Sequence, residues 1–357
     1  MLIQRVALGA ACAAMHLTST QAFLPLTSLS TSSWKQVWAP ASTSEAAGMG
    51  ARPSTRLVGR RSAATMIGGE HDLYVVGAGY LGKIIGAAWH LEHPDAMMYG
   101  ETRSYVRHEN FMPEGMTHVR RKNREENGIR CPNVVFCANP GGNADYALEV
   151  FRAMEEVWDG TGMFVFTSSG SVYAEKKGGV VTEDSPIDET KVDSPLRIAE
   201  KVTVRGGGCV IRLAGLYSVQ RGPHSVWLEE KRLNHHSQGM INLISYQDAA
   251  YAVVRALEAG LAEIRGDDGA PEVKGRVFLA ADHSPITRRK ICEVALAHPL
   301  YARKSMPKFI GDASPPEFAD VGPKKVYDSS LTRRTLGWEP KCSSMEEYFQ
   351  QEMAMQE

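Results

Sequence analysis

The feature that most constrains this chain is a strand-like run, Leu73-Tyr74-Val75-Val76. It enters Gly77-Ala78-Gly79-Tyr80-Leu81-Gly82 and continues into a helix-compatible stretch from Lys83 to Leu91. In that context G-x-G-x-x-G predicts a strand–turn–helix unit built to cradle a dinucleotide. Gly77 permits the tight turn, Gly79 lets the backbone approach a pyrophosphate, and Gly82 lets the helix pack close to the sheet. The amides at the helix start, those of Tyr80 and Leu81, face the anion with the help of the helix dipole.

About twenty residues further on, a second strand over Ala96–Gly100 ends in Glu101-Thr102-Arg103-Ser104. An acid at that tip bonds the ribose 2′-hydroxyl of NAD, whereas an arginine pairs with the 2′-phosphate of NADP. This chain offers both kinds of residue. Thr102 fills the slot where an NAD-type acid sits and Arg103 follows it, so NADP is the expected cofactor and NAD the alternative.

The start of the chain does not read as folded protein. Met1–Arg5 is a short basic start, Val6–Leu17 is mostly apolar but too short to span a bilayer, and Thr20-Gln21-Ala22 is a small-residue cleavage site. Residues 1–22 therefore read as a signal peptide. Residues 23–65 are rich in Ser, Thr, Ala and Arg, with Glu45 as their single acid, and read as a transit peptide. The pair resembles the bipartite presequence of proteins sent to secondary plastids, so a plastid stroma is the expected location. Plain secretion and a lone chloroplast or mitochondrial transit peptide are the alternatives.

The first 65 residues carry six of the 40 basic residues and one of the 41 acids, which leaves a mature chain of 292 residues with a net charge of −6. Such a chain is not suited to coat nucleic acid or anionic lipid. It contains no further apolar run long enough to cross a membrane. The basic run Arg120-Arg121-Lys122 with Arg124 is followed by Glu125 and Glu126 and reads as a solvated face. Five cysteines, Cys131, Cys137, Cys209, Cys292 and Cys342, form no C-x-x-C pair. That argues against a disulfide framework or a zinc site and fits a reducing compartment. His235-His236 has no further ligand at metal spacing, so no metal site is expected.

Continuous apolar strands recur at Asn133–Ala138, Met163–Phe166 and Cys209–Leu213, with helical stretches at Ala144–Val157 and Pro195–Val204. Such alternation predicts an α/β fold with a doubly wound parallel Rossmann sheet. Residues 66–216 form the expected NAD(P)-binding core and 217–357 a smaller mixed α+β substrate-binding region, with a core-completing segment near 240–260. Ligands bind such sheets at the carboxyl ends of the strands. The glycine loop, Thr102 and Arg103, Asn139 and Pro140, and Thr167, Ser168 and Ser169 all fall at such ends.

Four blocks carry a family resemblance: GAGYLG (77–82), FTSSGSVYA (166–174), CVIRLAGLYSVQRGP (209–223) and LGWEPK (336–341), joined by NLISYQDAAYAVVRALE (242–258). With them the chain resembles the extended short-chain dehydrogenase/reductase superfamily, the NAD-dependent epimerase/dehydratase group, over essentially all of 72–350. GETRS is more similar to the atypical subgroup, including plastid-type members. The resemblance implies a small-molecule substrate, a catalytic serine at Ser169 and a homodimer.

One departure matters. The family's Tyr-x-x-x-Lys pair lies on the helix after the serine segment, where the Lys lowers the Tyr pKa and the Tyr moves a proton. Here Leu196 takes the Tyr place and Glu200 the Lys place. Lys201 is one residue late and points about 100° away. The literal match Tyr173 to Lys177 lies in a loop. Ser169 remains a candidate to bond a substrate oxygen, with capping of the strand end as its alternative. Tyr173 is a second acid candidate, with aromatic packing as the alternative. Arg197 and Glu200 read as a surface ion pair, and His224 as an exposed loop histidine. Three functions stay open: an NADP(H)-dependent oxidoreductase or epimerase-type enzyme with a modified acid/base set, a non-catalytic dinucleotide-binding sensor or assembly factor, and an interaction protein reusing the fold.

Overall fold

A computed structural model describes residues 69–103, 112–141, 143, 145–313, 322–323 and 325–355. The expected signal and transit peptides, Ser104, Ala144 and part of the 300–325 loop lie outside the described residues. Seven strands form one sheet: β1 (Leu73–Val76), β2 (Met98–Thr102), β3 (Met116–Arg120), β4 (Asn133–Phe136), β5 (Phe164–Ser169), β6 (Cys209–Leu213) and β7 (Val277–Ala280). Their order is β7-β6-β5-β4-β1-β2-β3, and every neighbouring pair is parallel. The doubly wound parallel sheet expected from the alternation is present.

Burial explains which strands the sequence displays. All residues of β1, β4 and β6 are buried, hence their predominantly apolar sequences, interrupted by Asn133 on β4 and Arg212 on β6. Leu73 and Val75 enter one core cluster, Tyr74 and Val76 the other. β3 is an edge strand with exposed Thr117 and half-buried His118, so its sequence lacks such a run. Helices α1 (Tyr80–Glu92) and α4 (Tyr246–Arg265) pack together on one face, and α2 (Tyr146–Glu156) and α3 (Pro195–Arg205) on the other. α3 starts where Ser194 caps the Arg197 amide and Pro195 fills the first turn, a position needing no amide donor. α4 starts at Ser245, whose hydroxyl oxygen accepts the Asp248 amide at 2.9 Å.

Beyond β6 the chain builds small sheets and a third core around Tyr217, Trp227, Leu243, Ile291 and Phe349, with helices α5 (Arg288–Leu296) and α6 (Met345–Ala354). Two of the sequence blocks meet here through one residue. Trp338, fully buried, donates from Nε1 to the Asp248 carbonyl at 3.1 Å, and the Lys341 amide donates to Asp248 Oδ1 at 2.7 Å. No helix among the described residues is long and apolar enough to cross a membrane.

Asp282, just past β7, is the costly member of this core. Its Oδ1 accepts the Ser284 amide at 3.0 Å, while Oδ2 is buried without a partner. Burial, with Asp248 nearby, pushes its carboxyl up to about 8. Between the unfolded value near 4 and the folded value near 8, the native state holds the extra proton. Stability therefore falls as pH rises across that window. Asp282→Asn should flatten this slope, losing less melting temperature between pH 5 and pH 8 than the parent does, as read by calorimetry at both values.

Candidate functional site

The glycine loop sits where β1 hands over to α1. Gly77 has φ +94°, and a Cβ on it would come within 2.4 Å of the Ala138 backbone nitrogen. A Cβ on Gly82 would meet the Gly77 carbonyl at 2.7 Å and Val75 at 2.9 Å. Both glycines are thus demanded by the protein's own packing. Gly79 is different: its φ is −80°, and a Cβ there would find no atom closer than 3.9 Å. Among the described residues, nothing requires glycine at 79. The amides of Tyr80, Leu81 and Gly82 open α1 with no acceptor within the helix. This is a cradle that an added methyl would fill.

The side chains of the loop look elsewhere. Leu81 is part of the core. The Tyr80 ring stands edge-on to Tyr246 at 4.6 Å, under the Arg221 guanidinium at 5.5 Å, and its hydroxyl donates to Ser218 Oγ at 3.1 Å. Tyr80 therefore bridges the loop to the C-terminal region.

At the tip of β2, Glu101 is only 2% exposed and fully engaged. Arg124 grips it with two bonds, Nε to Oε2 at 2.7 Å and Nη2 to Oε1 at 2.6 Å, and Tyr74 donates its hydroxyl at 2.9 Å. Burial and Glu101 together hold the Tyr74 phenol well above its ordinary value. Arg124 also reaches Glu149 at 3.0 Å and Glu156 at 3.3 Å on α2. The solvated face expected for 120–124 is therefore corrected at Arg124, which is buried because a bidentate carboxylate meets its guanidinium. Thr102 is buried and its hydroxyl meets His118 Nε2 at 2.7 Å. What remains at the rim is cationic. Arg103, Arg121, Lys122 and Arg152 line a cleft of about 440 Å³ together with Glu125, Glu149 and Glu156. Partial burial, with Arg124, Arg103 and Arg152 close by, draws Arg121 below the usual arginine value. Arg121 also pairs with Glu149.

Asn139 and Pro140 are exposed at the end of β4, where Asn139 Oδ1 accepts the Gly141 amide at 2.7 Å. Thr167 Oγ1 lies 3.4 Å from the Phe136 carbonyl. Gly77–Gly82, Thr102–Arg103, Asn139–Pro140 and Thr167–Ser169 thus share the carboxyl edge of four successive strands, β2, β1, β4 and β5.

The helix expected to carry Tyr and Lys carries something else. Glu200 is 1% exposed and accepts from Arg212 at 2.9 and 3.1 Å, from Ser168 Oγ and from Arg197. The surface ion pair expected for Arg197 and Glu200 is overturned: Glu200 faces inward because Arg212 on β6 waits there. Leu196 is half-buried against both cores, and Lys201 folds back to the Val192 carbonyl at 3.3 Å. Ser168 spends its hydroxyl on Glu200. Ser169 Oγ accepts the Ser171 amide at 3.2 Å and donates to Ser171 Oγ at 3.0 Å, a local cap that leaves it half-exposed. Tyr173 is buried under the Arg212 guanidinium at 4.7 Å and beside Tyr327 at 6.2 Å. Burial raises its phenol pKa. His224 is also a correction: it is fully buried, its Nε2 donates to the Val219 carbonyl at 3.0 Å, and burial lowers its pKa.

Two lysines escaped the sequence reading because distant segments deliver them. Lys191 Nζ donates to the Ser171 carbonyl and Lys325 Nζ to the Tyr173 carbonyl at 2.7 Å. Burial and the charge of Lys191 bring Lys325 down to about 8.

No protein-family model matches this sequence, and no curated protein matches it. Solved structures do. A conserved protein of unknown function from Silicibacter pomeroyi superposes with TM-score 0.59 at 18% identity, covering 80% of this chain and 99% of that one. The dTDP-glucose 4,6-dehydratase of Bacillus anthracis, solved in complex with NAD, gives 0.58 at 14%, covering 78% and 94%. The ADP-L-glycero-D-manno-heptose-6-epimerase of Helicobacter pylori gives 0.58 at 11%, covering 81% and 98%. The chain has the fold of these dehydratase and epimerase structures.

Proposed function

We propose that this protein binds NADP(H) and acts as an oxidoreductase or epimerase-type enzyme on a small carbonyl or hydroxyl compound, using an active site without Tyr-x-x-x-Lys. The dinucleotide part rests on Gly79, the one glycine of the loop that the protein's own packing does not demand. The Bacillus anthracis dehydratase, which holds NAD, supports a nicotinamide cofactor. The preference for the phosphorylated form comes from this chain: its β2 acid is spent on Arg124 and Tyr74, and the rim beyond it presents Arg103 and Arg121. In this reading the amides of Tyr80 and Leu81 hold the pyrophosphate, Arg103 and Arg121 hold the 2′-phosphate, and Asn139 and Pro140 flank the dinucleotide. A nicotinamide held there would supply or accept a hydride. Ser169 gives up its bond to Ser171 and holds the substrate oxygen. Lys325, brought down to about 8 and held on the Tyr173 carbonyl, takes up or releases a proton. The same reading places the protein in a plastid stroma, as a homodimer with no nucleic-acid partner.

One observation favours a second reading, a non-catalytic dinucleotide sensor or assembly factor. The place of the family's Tyr and Lys is filled by a saturated buried network around Glu200 and Arg212. Ser169→Ala separates the two in a screen of carbonyl substrates with NADPH oxidation as readout. The enzyme reading expects turnover to vanish with NADPH affinity unchanged. Turnover that survives the substitution contradicts the role given to Ser169, and a parent that turns over nothing leaves the sensor.

Binding itself is tested by melting temperature with NADPH, NADP⁺, NADH and NAD⁺. A ligand at ~100 times its dissociation constant adds about 2.7 kcal/mol. NADPH should stabilise most. Gly79→Ala should melt like the parent but lose the NADPH shift, whereas Gly82→Ala should melt lower without any ligand. Arg103→Ala with Arg121→Ala should erase the preference for the phosphorylated nucleotides. Equal shifts from NADH and NADPH in the parent would exclude the 2′-phosphate assignment.

A further inference from the structure

Three side chains remote in sequence converge at the end of the sheet opposite the glycine loop. His71 lies in the segment that enters β1, His93 caps the C-terminal end of α1, and Glu258 stands on α4. One donor atom from each lies within 4.8 Å of the other two. The His71 and His93 rings stack at 3.9 Å with an interplanar angle of 11°, and Trp89 closes against His93 at 4.3 Å. His93 Nε2 meets Glu258 Oε1, and these side chains are only 16% and 23% exposed. The segment carrying His71 is fixed by the Trp89 indole, which donates to the His71 carbonyl at 2.7 Å.

The His71 imidazole is not satisfied in this arrangement: among the described residues its buried Nδ1 has no hydrogen-bond partner. An unmet buried donor or acceptor costs about 1–3 kcal/mol. A second proton on both stacked rings would put two cations face to face. A divalent cation instead takes the lone pairs of both rings and the carboxylate, and it neutralises the carboxylate charge.

We propose that His71, His93 and Glu258 form a binding site for one divalent transition-metal ion, with Zn²⁺ as the best match. Two imidazoles and one carboxylate suit a borderline ion, with water completing a tetrahedral set. The single carboxylate is too little for Ca²⁺ or Mg²⁺, which rely on oxygen ligands. Donors around a tetrahedral zinc stand about 3.3 Å apart, given Zn–N distances of about 2.0–2.1 Å. Binding therefore opens the direct His93–Glu258 contact and turns the rings out of their stack. The ion clamps the far end of α1 to α4. α1 has 13 residues and is about 20 Å long, so the clamp acts on stability and does not touch the cradle at its other end.

The test uses the full chain, stripped of metal with a chelator and then titrated with Co²⁺ followed by visible absorption and with Zn²⁺ followed by melting temperature. One equivalent of Co²⁺ should give the intense d–d bands of a four-coordinate site, and Zn²⁺ should raise the melting temperature. Loss of a supporting outer partner weakens metal sites 10–100-fold, so Glu258→Gln, which keeps the shape of the side chain, should weaken Zn²⁺ binding by roughly 100-fold or more. His71→Asn should do the same. In both variants the metal-free melting temperature serves as the folding control. The proposal is overturned if Co²⁺ shows only octahedral, weakly absorbing binding. It is equally overturned if the two folded variants bind Zn²⁺ as the parent does, which would place the ion elsewhere.

Discussion

The buried grip of Arg124 on Glu101 organises the carboxyl edge of the sheet around β1 and β2. A single guanidinium holds Glu101 of β2 and Glu149 of α2, and Tyr74 of β1 joins by donating its hydroxyl to Glu101. Taking these charges out of water costs several kcal/mol per ion, and only close, well-directed bonds in a low dielectric offset that cost. The geometry meets this condition, with two charge-assisted bonds at 2.6 and 2.7 Å. The consequence reaches the rim. An acid locked beneath two strands is not available to a ribose hydroxyl, so the charge offered to a nucleotide at the tip of β2 is positive.

A second buried guanidinium shapes the ends of β5 and β6 in the same way. Arg212 turns Glu200 inward, and Ser168 and Arg197 complete the shell. A helix position that would present an ammonium to a cofactor instead carries a carboxylate neutralised inside the protein. The carbonyls of Ser171 and Tyr173, just past Ser169, accept from Lys191 and Lys325, brought from before α3 and from the far C-terminal part of the chain. An active site built on them would share its scaffold with the epimerases and dehydratases and differ in its proton-handling groups.

Much of the fold was legible in the sequence because fully buried parallel strands are predominantly apolar, as at Leu73–Val76, and at Cys209–Leu213 with Arg212 as its one charged residue. Gly77 and Gly82 were legible because close backbone packing tolerates no side chain. Met116–Arg120 was not, since an edge strand with one exposed face carries too few apolar residues to stand out. Arg124, Glu200 and His224 were misread for one shared reason. A charged or polar residue looks solvent-facing until its partner is known, and each partner lies on another element: Glu101 on β2, Arg212 on β6, and the Val219 carbonyl in the turn before His224. Spacing along a single helix suggested Arg197 as the partner of Glu200 and had no way to reveal Arg212. The His71, His93 and Glu258 trio was invisible for the same reason, because metal spacing is sought along the chain and these residues meet only in space.

The most direct measurement is a crystal structure of the protein grown with NADPH. The account predicts the pyrophosphate against the amides of Tyr80 and Leu81, passing over Gly79, with the 2′-phosphate between Arg103 and Arg121 and Glu101 still held by Arg124. A nucleotide whose adenosine ribose turns away from Arg103, or whose pyrophosphate avoids Gly79, would contradict it.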